Sequence, residues 1–342
     1  MSEDPTPDPT KPRRIPPRYV ISALTVAVCL FLSIIYIFRP DSFAAVTVWP
    51  IWTWSLIAVF ILLFCLRRRN NRPILAAFAV WLLYLLVLSE EPRSLLRFNR
   101  LDSEEWVTAH RKGRAIRVIS LNCAGGSVPA MREVAKYHPD VVLLQESPSA
   151  KDVEAFSRSL FPDGAGVWAG MDASLIVHGK IQRVDLPRNL AAYFVQAHAS
   201  LTNGIKLEVL STRLTPAVFR EDFWSPDCWQ AHTANRRFRR GQMRDLSASI
   251  HKVPDNSPVL LAGDFNAPQD DAVFELLRPR LTDAYKVAGS GWGNTITNEI
   301  PVLRIDQIWT SRQLIPMAVV SRRTRESDHR MVVADFVLRS VD

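Results

Sequence analysis

The stretch PVLLAGDFN, residues 258–266, places an acidic residue and an amide at the end of an uninterrupted apolar run. A short apolar run bounded by proline and by polar residues is typical of a strand that is buried on both faces. Asp264 and Asn266 then lie where a strand passes into a loop, which is where α/β folds place binding and catalytic groups. In isolation the two residues could simply form an Asx turn, so the rest of the chain must decide.

Four other stretches repeat this arrangement of polar residues on or beside apolar runs. They are AIRVISLN (115–122), DVVLLQE (140–146), the run around RIDQIW (304–309), and SDH (327–329) before the last apolar run. The polar residues concerned are Asn122, Glu146, Asp306, Asp328 and His329. Since strand ends that meet at one rim commonly build a pocket, we expect these side chains to lie together.

The elements between these motifs predict a mixed α/β domain. Helical spacing occurs at 128–138, 149–160, where Ser149 is a plausible N-cap, and 229–250. Three β-runs, at 173–179, 192–201 and 205–214, follow one another without a helix. A purely parallel doubly wound sheet therefore fits the pattern poorly.

In order and spacing, the chain resembles the endonuclease/exonuclease/phosphatase superfamily through the motifs VISLN (118–122), VVLLQE (141–146), LAGDFN (261–266), RIDQIW (304–309) and SDH (327–329). The resemblance covers essentially all of 115–342. It implies an α/β DNase I-like fold, a four-layer sandwich of two β-sheets packed face to face and flanked by helices. It also implies hydrolysis of a phosphoester.

A hard divalent cation suits this chemistry, because a phosphoester is anionic and the motifs offer carboxylate and amide oxygens. Mg²⁺ is expected, with Mn²⁺ as the alternative, and zinc is disfavoured because no Cys/His cluster exists. The resemblance makes Glu146 the principal metal ligand, with Asn122 and Asp328 beside it.

The resemblance also assigns the remaining roles. His329 is similar to the catalytic histidine of the superfamily, and Asp306 matches the carboxylate that orients it. Asp264 and Asn266 match the residues that position water or the leaving group and hold the phosphate, and Asn122 also contacts substrate. Whether Asp264 or His329 acts as the base is left open.

Two positions depart from the family pattern. Arg213 stands on the strand EVLSTRL where members typically carry His or Tyr. An arginine can bind a phosphate through two hydrogen bonds, so Arg213 is a candidate substrate-binding residue. The same departure supports an alternative function, a catalytically weakened or inactive binding module held at the membrane. Ala124 stands where apurinic-site endonucleases often have an acid, which weakens a DNA-repair interpretation.

Two further stretches carry weaker signals. The arginines of 235–246 spread over more than one helical face, so we expect several to be solvated and one to reach the substrate or its neighbours. The aromatic stretch 219–230 is expected to be a loop. A disulfide between Cys123 and Cys228 is left open, since four cysteines without a CxxC motif do not fix the compartment.

The N-terminal quarter predicts a membrane anchor. Residues 1–18 form a polar, proline-rich cytoplasmic tail, 19–88 hold three transmembrane helices (19–38, 43–66 and 73–88), 89–113 are a connector with a short helix at the membrane surface, and 114–342 are the catalytic domain. Arginines before the first run and at 67–72 place these segments in the cytoplasm. The protein is then a multi-pass protein of the plasma (inner) membrane with an extracytoplasmic catalytic domain. If the 16-residue third run does not cross, the domain becomes cytoplasmic.

Charge narrows the substrate only slightly. Of the net charge of +8, +5 falls in residues 1–112, so the catalytic part is nearly neutral and lacks the strong basic footprint of a duplex-DNA binder. The expected partner is a phosphoester, whether a lipid head group, a nucleic acid or a small phosphate. No obligate protein partner is indicated.

Overall fold

The computed structural model describes residues 15–66, 71–218, 220–278 and 280–339. Most of the predicted tail and the arginines at 67–69 lie outside the described residues. The chain divides into two compact units. The first holds the residues up to Phe38 together with Ile51–Ser89, and the second holds Arg39–Pro50 together with the chain from Glu90 onward.

The helices are, in chain order, α1 (Pro17–Phe38), α2 (Ala44–Thr47), α3 (Ile51–Phe64), α4 (Arg72–Leu88), α5 (Glu91–Leu95), α6 (Glu104–Arg111), α7 (Val128–Arg132), α8 (Ala150–Leu160), α9 (Arg188–Ala191), α10 (Pro226–His251) and α11 (Ala284–Ala288). Short 3₁₀ helices occupy Asp41–Phe43, Glu133–Tyr137 and Ala272–Leu276.

The strands are β1 (Ala115–Asn122), β2 (Val141–Gln145), β3 (Ala165–Ala169), β4 (Ala173–Arg183), β5 (Phe194–Leu201), β6 (Lys206–Arg213), β7 (Val259–Asp264), β8 (Thr282–Asp283), β9 (Asp306–Thr310), β10 (Leu314–Arg322) and β11 (Met331–Leu338).

The first unit consists of the apolar helices α1, α3 and α4. Among the described residues, α1 is the one helix that is by itself long and apolar enough to cross a membrane. Helix α3 has 14 residues and α4 has 17, fewer than the roughly 20 that a span needs. The expected second span, 43–66, is not one continuous helix, because the chain bends by 62° between Thr47 and Ile51, where Pro50 lies.

The second unit is built on a continuous path of strands in the order β10-β11-β1-β2-β4-β5-β6-β7-β9-β8, with β3 paired to β4. Strand β4 divides this path, because residues 173–177 pair with β2 whereas residues 179–183 pair with β5. The pairs β1/β2 and β6/β7 are parallel, and the other neighbours are antiparallel. The domain therefore has two sheets joined by one long strand.

Three apolar clusters show how the layers pack. The central cluster joins side chains of both halves, such as Val118 and Leu143 from one sheet and Val209 and Leu260 from the other. Outside it, Met243 and Leu246 of α10 cover the second sheet. Helices α7 and α8 cover the first sheet through residues that include Met131, Val153 and Phe156. Two sheets face to face with helices on both outer sides confirm the expected DNase I-like α/β architecture.

The connector differs from its prediction. Helix α6 packs on β1, where the indole of buried Trp106 donates a hydrogen bond of 3.3 Å to the carbonyl of Ile116. The guanidinium of Arg117 lies 4.6 Å from the centroid of the same ring. Residues 104–111 thus belong to the catalytic domain, and the apolar side of this helix is covered by protein.

Two smaller expectations also change. Cys123 and Cys228 are both buried free thiols, so the disulfide is absent. The stretch 219–230 was expected to be a loop, but from Pro226 it forms the first turns of α10.

Candidate active site

The carboxyl ends of parallel strands bring the motif residues together. Asn122 closes β1 opposite Gln145 of β2, and Arg213 closes β6 opposite Asp264 of β7. Asp306 opens the antiparallel β9 and is paired with Asp264. Glycine is needed at position 263, since φ is +156° there and a Cβ would collide with the carbonyl oxygen of Thr212.

His329 and Asp306 form a buried pair at the centre of this cluster. Nδ1 of His329 lies 2.8 Å from Oδ2 of Asp306, and one ligand atom from each of Asp264, Asp306 and His329 lies within 4.8 Å of the other two. Burial acts to lower the pKa of His329, but the carboxylate of Asp306 outweighs it and raises this pKa to about 10. The imidazole is thereby held as a charged hydrogen-bond donor.

The turn that carries His329 is fixed by hydroxyl groups. Ser327 Oγ donates to the carbonyl of Asn122 at 2.7 Å and accepts from the backbone N–H of His329 at 3.0 Å. Thr324 Oγ1 donates to the carbonyl of His329 at 2.7 Å. These bonds tie the turn before β11 to the end of β1, which sets the position of the imidazole.

Asp264 is oriented by two amides. Its Oδ2 accepts hydrogen bonds from Nδ2 of Asn122 at 3.0 Å and of Asn266 at 3.2 Å, and its Oδ1 accepts from the backbone N–H of Asn266 at 2.9 Å. Complete burial and the neighbouring charge of Asp306 raise the pKa of Asp264 to about 7. Asn266 has a left-handed φ of 48°, which asparagine tolerates better than most residues.

Glu146 lies on the same rim with one quarter of its side chain exposed. Its carboxylate accepts hydrogen bonds from Nδ2 of Asn122 at 3.1 Å, from the backbone N–H of Gly125 at 2.6 Å and from the guanidinium of Arg213 at 2.7 Å. Burial acts to raise the pKa of Glu146, but these three donors outweigh it and hold the pKa below its ordinary value. The carboxylate is therefore ionised.

This donor set fits a hard divalent cation. Glu146, Asp264 and Asp306 supply carboxylate oxygens, and Asn122 supplies an amide oxygen, which are the ligand types that Mg²⁺ and Mn²⁺ prefer. Oδ1 of Asp306 is buried and has no hydrogen-bond partner among the residues that the structure describes. An unsatisfied buried carboxylate oxygen in such a cluster is an observation that a bound cation or a water would explain.

Arg213 connects the two sides of the cluster. Its guanidinium contacts Glu146 at 2.7 Å and Asp172 at 3.1 Å, and its Nε lies 3.9 Å from Oδ2 of Asp264. Under a quarter of the side chain is exposed. Arg213, which we expect to bind substrate, thus also neutralises the charge of Glu146, the expected metal ligand.

Asp328 is not brought into the cluster in the same way. Its side chain is exposed and makes no hydrogen bond or ion pair within the described part of the chain, while its carbonyl accepts from the N–H of Asn298. Its charge contributes to the raised pKa of His329. Its expected role as a ligand beside Glu146 remains a prediction.

Sequence reasoning missed Asp172. This residue precedes β4, which runs antiparallel to β2 with Ala173 opposite Gln145. The start of an antiparallel strand lies beside the end of its neighbour, so Asp172 is placed next to Glu146. An acid directly before the apolar run ASLIV was the available signal.

The arginines of α10 do not lie on a solvated face as a group. Arg236 and Arg239 are buried, and Arg239 donates a hydrogen bond of 2.7 Å to the carbonyl of Asn266, so it supports the active-site loop. Arg236 contacts Asp271 at 3.1 Å. Arg237 is exposed.

Comparison with known proteins agrees with this geometry. A profile of the endonuclease/exonuclease/phosphatase family matches residues 119–329. The uncharacterized protein YbhP of Escherichia coli K12 is 25% identical over 228 residues, which cover 62% of this chain and 88% of YbhP.

Two crystal structures share the fold. An endonuclease/exonuclease/phosphatase family protein from Bacteroides thetaiotaomicron superposes with a TM-score of 0.52 at 13% identity, covering 66% of this chain and 98% of its own. An endonuclease/exonuclease/phosphatase from Bacteroides vulgatus gives 0.50 at 17% identity, covering 66% and 99%.

Proposed function

Because this chain belongs to the endonuclease/exonuclease/phosphatase family, whose members are metal-dependent phosphoester hydrolases, we propose that it hydrolyses a phosphoester at the cluster around His329. The observation that carries this proposal is the buried ion pair of His329 with Asp306 beside Asp264. A buried imidazole–carboxylate pair next to a second oriented carboxylate is an arrangement for moving a proton.

Each residue then has a role that follows from its contacts. Asp264, held by Asn122 and Asn266, accepts the proton of the attacking water. Asp306 accepts the Nδ1 hydrogen of His329, so that Nε2 donates to a phosphate oxygen. The guanidinium of Arg213 binds another phosphate oxygen. A divalent cation, Mg²⁺ or Mn²⁺, would be held by Glu146 and Asn122, and when bound it supplies positive charge that offsets the developing charge on phosphate.

The test is hydrolysis of bis-p-nitrophenyl phosphate by the full-length protein, with and without Mg²⁺ or Mn²⁺. We expect activity that depends on the cation and falls about 10²- to 10⁴-fold in Glu146→Ala and His329→Ala. Asp185→Asn, which removes an exposed carboxylate away from the cluster, serves as the control. Activity that survives both active-site substitutions would contradict the proposal.

The ion pair of Arg213 with Glu146 favours one second function, that of a binding module without turnover. In that case the guanidinium neutralises the metal ligand permanently. The protein would then bind a phosphate diester without hydrolysing it, and no hydrolysis would be detected after Mg²⁺ or Mn²⁺ is added. The same assay therefore separates the two functions.

We further propose that the protein is a multi-pass membrane protein in which α1, α3 and α4 all cross. Support comes from the segment Arg39–Pro50, which lies between α1 and α3 in sequence but belongs to the catalytic unit. The carboxylate of Asp41 accepts two hydrogen bonds from Arg240, at 2.5 and 2.6 Å, and Thr233 donates to the carbonyl of Asp41 at 3.0 Å.

These contacts support a topology in which the segment 39–50 and the catalytic domain lie on the same side of the membrane. The chain between Ile51 and Ser89 must then leave that side and return to it, which requires an even number of crossings. Helices α3 and α4 provide two, and thinning of the bilayer can accommodate their shortness. With the basic flanks on the cytoplasmic side, the domain is extracytoplasmic.

Thiol labelling of intact cells tests this topology. A membrane-impermeant maleimide should label Lys151→Cys, at an exposed position of the domain, and should label Arg68→Cys only after permeabilisation, with Cys65→Ser in both variants. Labelling of Arg68→Cys but not Lys151→Cys in intact cells would reverse the orientation. Labelling of neither would place both sites in the cytoplasm.

A further inference from the structure

A cleft opens from the candidate active site along the side of α10. Its volume is about 650 Å³, within the range of small-molecule sites. Asp172 and Arg213 are among the residues that line the cleft, and both belong to the cluster around Glu146 through the ion pairs of Arg213. A ligand in the cleft would therefore extend away from a phosphate bound at Arg213.

The walls of this cleft are largely apolar. They include Ala192, Tyr193, Leu214, Pro216 and Phe238. Phe238 is 60% exposed, and Met171, next to Asp172, is 80% exposed. A small, highly charged phosphate has no apolar area to bury against this surface, whereas a substrate with an apolar portion would cover it.

The helix that forms one wall also holds the membrane-connected segment. Thr233, Arg236 and Arg240 bind residues 40–47, through Pro40, Asp41 and Thr47. Phe238 lies on the same helix, about 8 Å along the axis from Thr233 at 1.5 Å per residue, but on the side of α10 opposite Arg236 and Arg240, since two residues turn a helix by about 200°. The segment 39–50 continues without a break into α1 at one end and α3 at the other. The helix that forms this wall of the cleft is thus the same helix that holds the segment between α1 and α3.

Two arginines of the cleft, Arg213 and Arg237, suit the anionic part of an amphiphile. Arg237 has 70% of its side chain exposed although its Nε lies 3.7 Å from Asp41. Arginines near a bilayer surface attract anionic head groups. The combination differs from a nucleic-acid groove, because the lining sets the two arginines against the two carboxylates of Asp172 and Asp245 and so has no surplus of positive charge.

We propose that the cleft binds the glycerol and upper acyl chain of a membrane phospholipid, with the lipid phosphate at Arg213. The substrate class is a bilayer phosphoester, and the proposal rests on the phosphoester hydrolysis proposed above. Phe238 is a specificity-determining residue for the apolar part of the lipid. Soluble phosphoesters lack this part and use the catalytic cluster alone.

The experiment compares two substrates on the full-length protein in vesicles of phosphatidylethanolamine, phosphatidylglycerol and phosphatidate. Lipid cleavage is followed by mass spectrometry, and bis-p-nitrophenyl phosphate is assayed in the same vesicles. For Phe238→Ser we expect kcat/KM on lipid to fall about tenfold more than kcat/KM on the soluble diester. The control Val287→Ser removes a half-exposed apolar side chain of α11, which does not line the cleft.

The outcomes separate the two proposals. Hydrolysis of the soluble diester without cleavage of any lipid would overturn the lipid assignment and leave the phosphoesterase intact. Lipid cleavage with an equal loss on both substrates in Phe238→Ser would overturn the role of the cleft. Faster turnover of plasmid DNA or inositol phosphates than of lipid would also overturn it. Failure on every substrate would reject the phosphoesterase itself.

Discussion

Asp306 makes one contact that controls the chemistry of its neighbour, the 2.8 Å hydrogen bond to Nδ1 of His329. Asp306→Asn keeps the size of the side chain but can present an N–H to the imidazole, which favours the wrong tautomer and removes the compensating charge. We expect kcat for bis-p-nitrophenyl phosphate to fall about 10²- to 10⁴-fold. A steady-state assay measures this, with circular dichroism to show that the variant is folded.

If kcat of Asp306→Asn falls by less than twofold, the pair of His329 with Asp306 only stabilises the fold. The pH profile separates these cases further, because a merely structural carboxylate would change the melting temperature without moving the profile.

Arg213 opposes a cation at Glu146, since its guanidinium lies 2.7 Å from the carboxylate. We expect Arg213→Ala to bind Mn²⁺ about tenfold more tightly, because removing a nearby positive charge favours cation binding. The same variant should hydrolyse more slowly, because it loses a phosphate ligand. Isothermal titration calorimetry measures the first effect without relying on turnover.

Arg213→Lys provides the matched comparison, since it keeps the charge but not the two-point hydrogen bonding. Equal Mn²⁺ affinity in the wild type and Arg213→Ala would show that the guanidinium and the cation occupy separate positions.

The segment 39–50 is held against α10 partly by the ion pair of Asp41 with Arg240. We expect Asp41→Asn to lower the free energy of unfolding by about 0.5–1 kcal/mol at neutral pH, the upper part of the range for partly exposed pairs. Thermal melts of the wild type, Asp41→Asn, Arg240→Gln and the double variant give the coupling energy. If the stability losses of the two single variants simply add in the double variant, the pair of Asp41 and Arg240 has no coupling energy.

The pH dependence of this pair has a definite sign. The hydrogen bond from Arg240 holds the pKa of Asp41 below its ordinary value of 3.8. The stabilisation is therefore complete above 3.8 and is lost as pH falls through the lower pKa of the folded state. Melts in acid should show the difference between the wild type and Asp41→Asn shrinking below that value. A difference that grew on acidification would contradict this assignment.

Elements with a strong pattern could be predicted from sequence, and those without one could not. The runs that form β1, β2 and β7 are fully buried and mostly apolar, so their patterns clearly predict strands. Strand β3 was missed because AGVWA is short, half-buried and contains glycine. Strand β8 has only two residues and depends on its pairing with β9.

The segment 39–50 shows where composition misleads. Ala44, Ala45 and Val46 are buried against the rest of the catalytic unit, yet an apolar run in sequence looks the same whether protein or lipid covers it. Asp172 illustrates the same limit at the site. Its position beside Glu146 depends on the pairing of β4 with β2, a non-local fact that no single stretch contains.

For the whole molecule, the second unit should be incomplete without the segment 39–50. A soluble chain of residues 90–342 leaves Arg236 and Arg240 without the partners Thr47 and Asp41. We expect its melting temperature to lie about 5–10 °C below that of a chain in which residues 39–50 are joined to residue 90 through a flexible Gly/Ser linker.

Differential scanning fluorimetry of the two soluble chains measures the difference. A third chain that carries Asp41→Asn and Thr47→Ala in the joined segment controls for the linker and should melt between the other two. Identical melting temperatures of all three chains would show that the segment 39–50 does not stabilise the domain.

The helix break between Thr47 and Ile51 has a consequence for how such a protein can evolve or be re-engineered. A catalytic unit that includes twelve residues from between two N-terminal apolar helices cannot be separated from those helices by a cut at a single boundary. A chimaera joined at residue 90 would lose part of the wall that braces α10, whereas one that also transplants residues 39–50 would keep it. The apolar helices and the catalytic unit are therefore expected to be inherited together, as one indivisible exchange unit.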